Sequence, residues 1–154
     1  MAETIKGINV VIGAETTGLS KALSDVNKKS KDIQSELKQV DKLLKLDPEN
    51  TELLAQKQKL LSDAVATTKE KLDRLKSAQE QVNQQFAKGE ISEGQFRAFQ
   101  REIAKTEQEL SKFEDQLKDV GKSADQLGEK LKKAGDKMSN TGKEMSAKVT
   151  APII

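Results

Sequence analysis

The sequence predicts an all-α fold in which three long helices form antiparallel hairpins or a coiled coil, with a short β-strand or arm before them. Apolar residues recur at alternating spacings of three and four along most of the chain, which is the heptad pattern of helices that pack against each other. Ala, Glu, Gln, Lys, Leu and Ser dominate the composition, as they do in long helices. Breaks at Pro48 and Gly89 divide the pattern into three segments.

The composition of the 154-residue chain excludes several classes of function. With 34% charged residues, four Phe and no Tyr or Trp, the chain has too little bulky apolar material for a compact globular core. It contains no Cys and no His, which excludes disulfides, thiol nucleophiles, Cys/His metal sites and histidine acid–base chemistry. Carboxylate pairs such as Glu107 with Glu109 lie among Lys and Arg on faces that water reaches. We therefore expect no enzyme activity, no metal and no cofactor.

Charge and hydropathy bear on partners and location. The chain has 27 basic and 25 acidic residues, and this near balance argues against specific nucleic-acid binding. No apolar run is long enough to span a bilayer, and the amino terminus lacks the pattern of a signal peptide. We therefore expect a soluble, non-secreted protein whose segment makes no membrane contact.

Residues 1–15 are predicted to form an N-terminal arm or strand. Strand character is confined to residues 4–12, where Ile8, Val10 and Ile12 alternate with Asn9 and Val11. A single strand cannot satisfy its own backbone, and no second strand candidate is evident. The segment is therefore either a flexible arm or an edge strand that pairs with a copy in another subunit.

The first two helices are predicted at residues 16–46 and 48–87. The first begins at Thr16 or Thr17, whose hydroxyl can cap the free amides. Pro48 suits the first position of the second helix, with the Asp47 carboxylate as its cap. In an antiparallel arrangement Leu37 faces Leu61 and Val26 faces Leu72, so the two helices are predicted to form a hairpin that turns at Asp47 and Pro48. Near this turn, additional contacts are expected from Leu43, Leu53 and Leu60.

The third helix is predicted at residues 92–148. Gly89 can end the second helix in the left-handed conformation, and Ser92 with Gln95 has the spacing of a capping box. We prefer a register in which Phe86 faces Phe99, because it also places polar Gln79 against polar Thr106; a register displaced by one heptad is possible. The helix–helix seam then includes Val26, Leu37, Leu61, Leu72, Leu75, Val82, Phe86, Phe99, Ile103, Leu110, Phe113 and Leu117.

Residues 16–120 are thus predicted to form a helical hairpin bundle, and residues 121–154 a Gly- and Lys-rich helical extension. Gly121, Gly128, Gly135 and Gly142 recur every seven residues. They form either a groove that lets another helix approach closely or, as we prefer, a weak and dynamic helix. The apolar residues at the end of the chain, without a terminating signal, suggest that it is part of a longer protein.

Four blocks of this sequence resemble the amino-terminal region of phage tail tape-measure proteins, especially those of phages and prophages of Gram-positive bacteria. They are Ile5-Lys6-Gly7-Ile8 through Gly18-Leu19; Leu43-Leu44-Lys45-Leu46-Asp47-Pro48-Glu49-Asn50-Thr51 with Lys57-Gln58-Lys59-Leu60-Leu61; Gly89-Glu90-Ile91-Ser92 before Phe96-Arg97; and Gly142 through Thr150-Ala151-Pro152-Ile153. The Leu-Asp-Pro-Glu-Asn block is fairly specific, whereas the heptads would match any coiled coil.

The resemblance implies a structural virion protein that lies in the tail-tube lumen in a few copies and takes part in tail assembly and tail-length determination. It implies association with itself, with the tube protein and with tail assembly chaperones. Assembly would take place in the host cytoplasm. The alternative is a cellular coiled-coil adaptor or tether without a viral role. A basic nucleic-acid binder is a third class, and it predicts binding that collapses with salt.

Overall fold

A computed structural model of the chain describes Ile5 and residues 7–132, with the backbone alone for residues 124–132. In that part the elements are β1 (Asn9–Ile12), β2 (Glu15–Gly18), α1 (Leu19–Ala22), α2 (Ser24–Leu46), α3 (Thr51–Ala87) and α4 (Glu93–Lys132). The prediction of a mostly helical chain is confirmed. The predicted end of the third helix at residue 148, Gly135 and Gly142 lie outside the described residues.

The N-terminal strand pairs within its own chain, so both an unpaired arm and pairing with another subunit were wrong as predictions. β1 and β2 form an antiparallel hairpin with Val10 opposite Thr17 and Ile12 opposite Glu15. Gly13 takes a φ of +64°, as expected for Gly at the first central position of a two-residue turn. β2 was not predicted, because the hydroxyls of Thr16 and Thr17 also suit helix caps. Their β-branched side chains suit a strand equally well.

The first helix consequently starts later than predicted and is interrupted once. α1 begins at Leu19, whose amide donates to the carbonyl of Ile8 over 2.8 Å. Leu23 separates α1 from α2, and the Ser24 hydroxyl donates to the carbonyl of Lys21 over 3.0 Å. The interruption at Leu23 therefore lies one turn after Leu19, whose amide bonds to Ile8 at the start of the β-hairpin.

The turn after α2 differs in detail from the prediction. α3 begins at Thr51, not at Pro48, and its cap is Asn50, whose side-chain oxygen accepts from the Leu53 amide over 3.0 Å. The Asp47 carboxylate instead accepts from the side-chain amide of Asn50 over 3.3 Å. Asn and Asp are both good caps, and the longer turn allows Asn50 to reach the first free amides of α3.

The turn between α3 and α4 is defined by a glycine and a capping box. Gly89 takes a φ of +75°, in the left-handed region that favours glycine. The Ser92 hydroxyl accepts from the Gln95 amide over 3.1 Å, while the Gln95 side chain accepts from the Ser92 amide over 2.8 Å. α4 then continues through Gly121 and Gly128 to Lys132.

The chain divides into two compact units, each built from separate stretches of sequence. In its described part, unit 1 contains the β-hairpin, residues 19–30 and residues 67–110. Its core is one apolar cluster of Ile5, Ile8, Val10, Leu19, Leu23, Val26, Leu75, Ala78, Val82, Ile91, Ala98 and Phe99. Ile5, Ile8 and Val10, from the segment predicted as an N-terminal arm or strand, thus share one core with residues of the helices.

Unit 2 contains residues 31–66 and, in its described part, residues 111–132. Its buried apolar residues are Ile33, Leu37, Val40, Leu54, Leu61, Ala64, Val65, Phe113, Leu117 and Val120. Gln58 is buried with them. A Cβ added to Gly121 would lie 3.8 Å from the side-chain nitrogen of Gln58, which is an ordinary contact. A close helix approach therefore does not require glycine at position 121.

The preferred register of α3 against α4 was wrong. In unit 1 the Lys71 ammonium lies 2.8 Å from the Glu102 carboxylate, whereas the preferred register would separate these residues by about 18 Å along the helix. Gln79 is exposed, so it cannot pair with buried Thr106, whose hydroxyl donates to the Glu102 carbonyl. The contact agrees better with the register displaced by one heptad. The short turn between Ala87 and Glu93 also lies closer to that register, because both helix ends lie level there.

Candidate interaction surface

The outer edge of β1 is closed by glutamine side chains of α3. The Val11 amide donates to the side-chain oxygen of Gln81 over 2.7 Å, and the Gln81 side-chain amide donates back to the Val11 carbonyl over 3.1 Å. The Gln85 side-chain amide donates to the Asn9 carbonyl. These carboxamides occupy the backbone positions that a further strand would use, so this edge is protected from pairing with another chain.

Arg74 of α3 connects the helix to the interruption between α1 and α2. Its guanidinium donates to the Ala22 carbonyl over 2.8 Å and to both carboxylate oxygens of Asp25 over 2.6 and 3.2 Å. It also donates to Glu70 over 2.8 Å. The planar guanidinium can bind a carboxylate and a carbonyl together, which an ammonium group does less well.

The charges around Arg74 reinforce one another. Hydrogen bonds from the guanidinium hold the pKa of the Asp25 carboxyl below its ordinary value of 3.8. The same bonds, with those to Glu70, raise the pKa of Arg74. Both partners of the pair are therefore ionised at neutral pH.

A solvent-open cleft of about 240 Å³ lies between the β-hairpin, α1 and α3, next to Arg74. Its lining residues are Val10, Val11, Ile12, Leu19, Ala22, Glu70, Asp73, Arg74, Ser77, Ala78 and Gln81. Val11 and Ile12 at its rim are each 51% exposed. The cleft thus combines apolar walls with two carboxylates and a guanidinium that is already paired.

A second exposed apolar surface, the α2 corner, comprises Lys42, Leu43, Lys45 and Leu46. Leu43 is 50% exposed and Leu46 is 84% exposed, while Leu53 and Leu60 are half-buried. Half of the Leu43 surface thus remains open to solvent next to the turn. Among the described residues neither Lys42 nor Lys45 forms an ion pair, whereas Lys57 lies 2.8 Å from Asp41.

The residues predicted for the seam lie mostly inside their units. Phe86 is the exception, since it is 38% exposed, and its ring stacks on that of Phe96 at a centroid distance of 4.3 Å. Ile103 and Leu110 are half-buried. The buried residues are Val26, Leu72, Leu75, Val82 and Phe99 in unit 1, and Leu37, Leu61, Phe113 and Leu117 in unit 2. Of these, Val26, Leu75, Val82 and Phe99 share one cluster with the β-hairpin.

The residues that form the cleft and its supports were not predicted from the heptad pattern. Arg74, Gln81 and Gln85 lie off the heptad seam, on faces that the pattern assigns to solvent. The available signal was the Gly13-Ala14 dipeptide between two segments rich in β-branched residues, which is the pattern of a tight hairpin. A hairpin at that place would have required side chains to cover its edges.

In the part of the chain that the structure describes, no group of three or more acidic side chains is placed to hold a metal ion. None of the described helices has an apolar stretch long enough to cross a membrane. Comparison with known protein families, with curated proteins and with solved structures finds no match.

Proposed function

We propose that this chain is a structural helical segment of a phage tail tape-measure protein and takes part in tail assembly and tail-length determination. One observation carries the proposal. Three of the four blocks that resemble this family form the β-hairpin, the turn at residues 47–50 and the turn at residues 88–92. The likeness therefore involves the residues that direct the path of the chain, and not only heptads that any coiled coil shares.

In this proposal α2, α3 and α4 pair as an antiparallel coiled coil. Support comes from contacts inside each unit, where Arg74 binds Asp25, Lys57 binds Asp41 and Lys71 binds Glu102. Each ion pair joins helices that are consecutive in sequence and connected by a short turn. Such pairs on the margins of an apolar seam are the usual determinants of partner and orientation in coiled coils.

The proposed partners are other copies of the chain, the tail tube protein and the tail assembly chaperones. The segment would act in the host cytoplasm during assembly and lie in the tail-tube lumen of the virion afterwards. It would work by packing and exposed charge, without catalysis, cofactor, specific nucleic acid or membrane contact.

The test uses the phage or prophage that encodes the chain. Deleting codons 2–132 in frame should abolish tails of normal length while capsids still form, as seen by electron microscopy of lysates. A matched virus that carries Ser35→Ala, at an exposed position of α2, should assemble normally. Normal tails after the deletion would refute the proposal. A gene remote from tube and tail-tip genes would favour the cellular adaptor.

A further inference from the structure

Buried hydroxyl groups concentrate at one place in unit 1. Of the four buried polar side chains in the described part of the chain, three are threonines of this unit, which we name the hydroxyl band: Thr67, Thr68 and Thr106. The Thr106 hydroxyl donates to the carbonyl of Glu102 in its own helix, over 2.7 Å. The hydroxyl oxygens of Thr67 and Thr68 have no hydrogen-bond partner. The band therefore contains two buried hydroxyls whose bonds to water are not replaced.

The three threonines lie at one level of α3 and α4. The Lys71 ammonium lies 2.8 Å from the Glu102 carboxylate, so these residues mark a common level of two helices that run in opposite directions. Thr67 and Thr106 each lie four residues, or about 6 Å, from that level in the same direction, and Thr68 is one residue nearer. The band thus crosses from one helix to the other.

The apolar cluster of unit 1 ends before it reaches the band. Its first member on α3 is Leu75 and its last member on α4 is Phe99. Toward the start of α3, the next buried residues are Leu72 and then Thr68 and Thr67. A buried hydroxyl without a partner has lost its hydrogen bonds to water and opposes folding. The helices are therefore held together less strongly at the band than in the cluster.

We infer that the hydroxyl band is an opening point of the helices, at which unit 1 and unit 2 unfold in separate steps. α2, α3 and α4 each contribute residues to both units, so continuous helices alone would favour unfolding in one step. Two regions unfold together when the opening of one exposes apolar surface of the next. At the band, opening instead returns hydroxyls to water. The inference goes beyond the proposed function and needs neither a phage nor a partner.

Native-state hydrogen exchange of the purified chain, measured by nuclear magnetic resonance in increasing urea below the unfolding midpoint, tests the inference. The slowest amides of residues 75–82 in unit 1 and of residues 54–65 in unit 2 report how each unit opens. In the parent chain, the equilibrium constants for opening should differ by about tenfold or more between the two sets. A single opening constant shared by both sets would overturn the inference.

The role of the band is tested by combining Thr67→Val with Thr68→Val, which keeps the β-branched shape and removes both unpartnered hydroxyls. The double variant should bring the two opening constants to within about threefold, because apolar contact then continues through the band. Thr106→Val is the matched control, since its hydroxyl already has a partner in its own helix, and it should leave the difference unchanged. An undiminished difference in the double variant, or equal narrowing in Thr106→Val, would show that the unpartnered hydroxyls do not set the opening point.

Discussion

At Gly89 the backbone takes a φ of +75°, and a Cβ built there would meet nothing within 4 Å. The requirement for glycine at this position is therefore one of backbone conformation and not of space. Gly94 differs, because it lies in the first turn of α4, and its added Cβ would make only a 3.7 Å contact with the Ser92 hydroxyl. Alanine at these two positions, five residues apart, should therefore change stability in opposite directions.

Gly89→Ala should lower the free energy of unfolding by roughly 1–2 kcal/mol, since an L side chain is strained in the left-handed region. Gly94→Ala should raise it by about 0.5–1 kcal/mol, because alanine favours the helix. Urea unfolding followed by circular dichroism measures both. Equal effects of the two substitutions would contradict the assigned backbone conformations.

Asp25 should make stability depend on acid pH. Its pKa is lowered in the folded chain, so its contribution is present above its ordinary pKa of 3.8 and is lost as the pH falls through the folded value. Asp25→Asn should therefore destabilise the chain at pH 7 and have a smaller effect in strong acid. Asp32→Asn, at an exposed position of the same helix, is the control for urea unfolding at both pH values. If Asp25→Asn lowered the free energy of unfolding in strong acid as much as at pH 7, the result would contradict the pairing of Asp25 with Arg74.

At the scale of elements, the short β-hairpin is stable because helices cover it. A two-stranded hairpin alone is marginal in water. Here Ile8 and Val10 enter the apolar core of unit 1, and Gln81 and Gln85 satisfy the outer edge of β1. α3 thus supplies what a third strand supplies in a larger sheet.

Gln81→Ala should remove two hydrogen bonds to Val11 and cost about 1–2 kcal/mol of stability. Its specific effect should be faster hydrogen exchange at the Val11 amide, measured by nuclear magnetic resonance. Gln84→Ala removes the same side chain from an exposed position of α3 and should leave that amide unchanged. Unaltered exchange in Gln81→Ala would show that the edge is not closed by this residue.

The register of α3 against α4 can be tested through Lys71 and Glu102, whose side chains are only 11% and 17% exposed. Lys71→Glu should lower the free energy of unfolding by about 1 kcal/mol or more, and adding Glu102→Lys should restore most of it. In the control, Lys69→Glu at an exposed position of α3 is combined with Glu102→Lys, and the free energy of unfolding should show no such recovery. Additive effects at Lys71 and Glu102 would contradict the observed register.

At the scale of the whole molecule, the 27 basic and 25 acidic residues nearly cancel. The surface can therefore bind groups of either charge, and neither sign dominates its electrostatic field. Both compact units draw on residues from distant stretches of the chain, since each contains parts of α2, α3 and α4. Among the residues whose side chains are described, the ion pairs join neighbouring helices or successive turns of one helix, and from the overall balance of charge we expect no specific binding of a long anionic polymer.

The chain should therefore not retard duplex DNA in a gel at low salt, where electrostatic binding is strongest. A basic DNA-binding domain of similar size is the positive control. A shift that disappears as salt is added would instead support the nucleic-acid class and argue against the proposed structural role.

The sequence by itself determined the helical class, the two turns between long helices and the absence of histidine and cysteine chemistry. These features are local, because heptad spacing, Pro48, Gly89 and the Ser92 capping box act within a few residues. Only the tertiary structure decided the closure of β1 by Gln81, the binding of Asp25 by Arg74 and the register of α3 against α4. Val11 and Gln81 are 70 positions apart, and a contact at that distance in sequence depends on which helix faces meet. A periodic pattern does not decide this, because shifting one helix by a whole heptad leaves the same apolar residues facing each other.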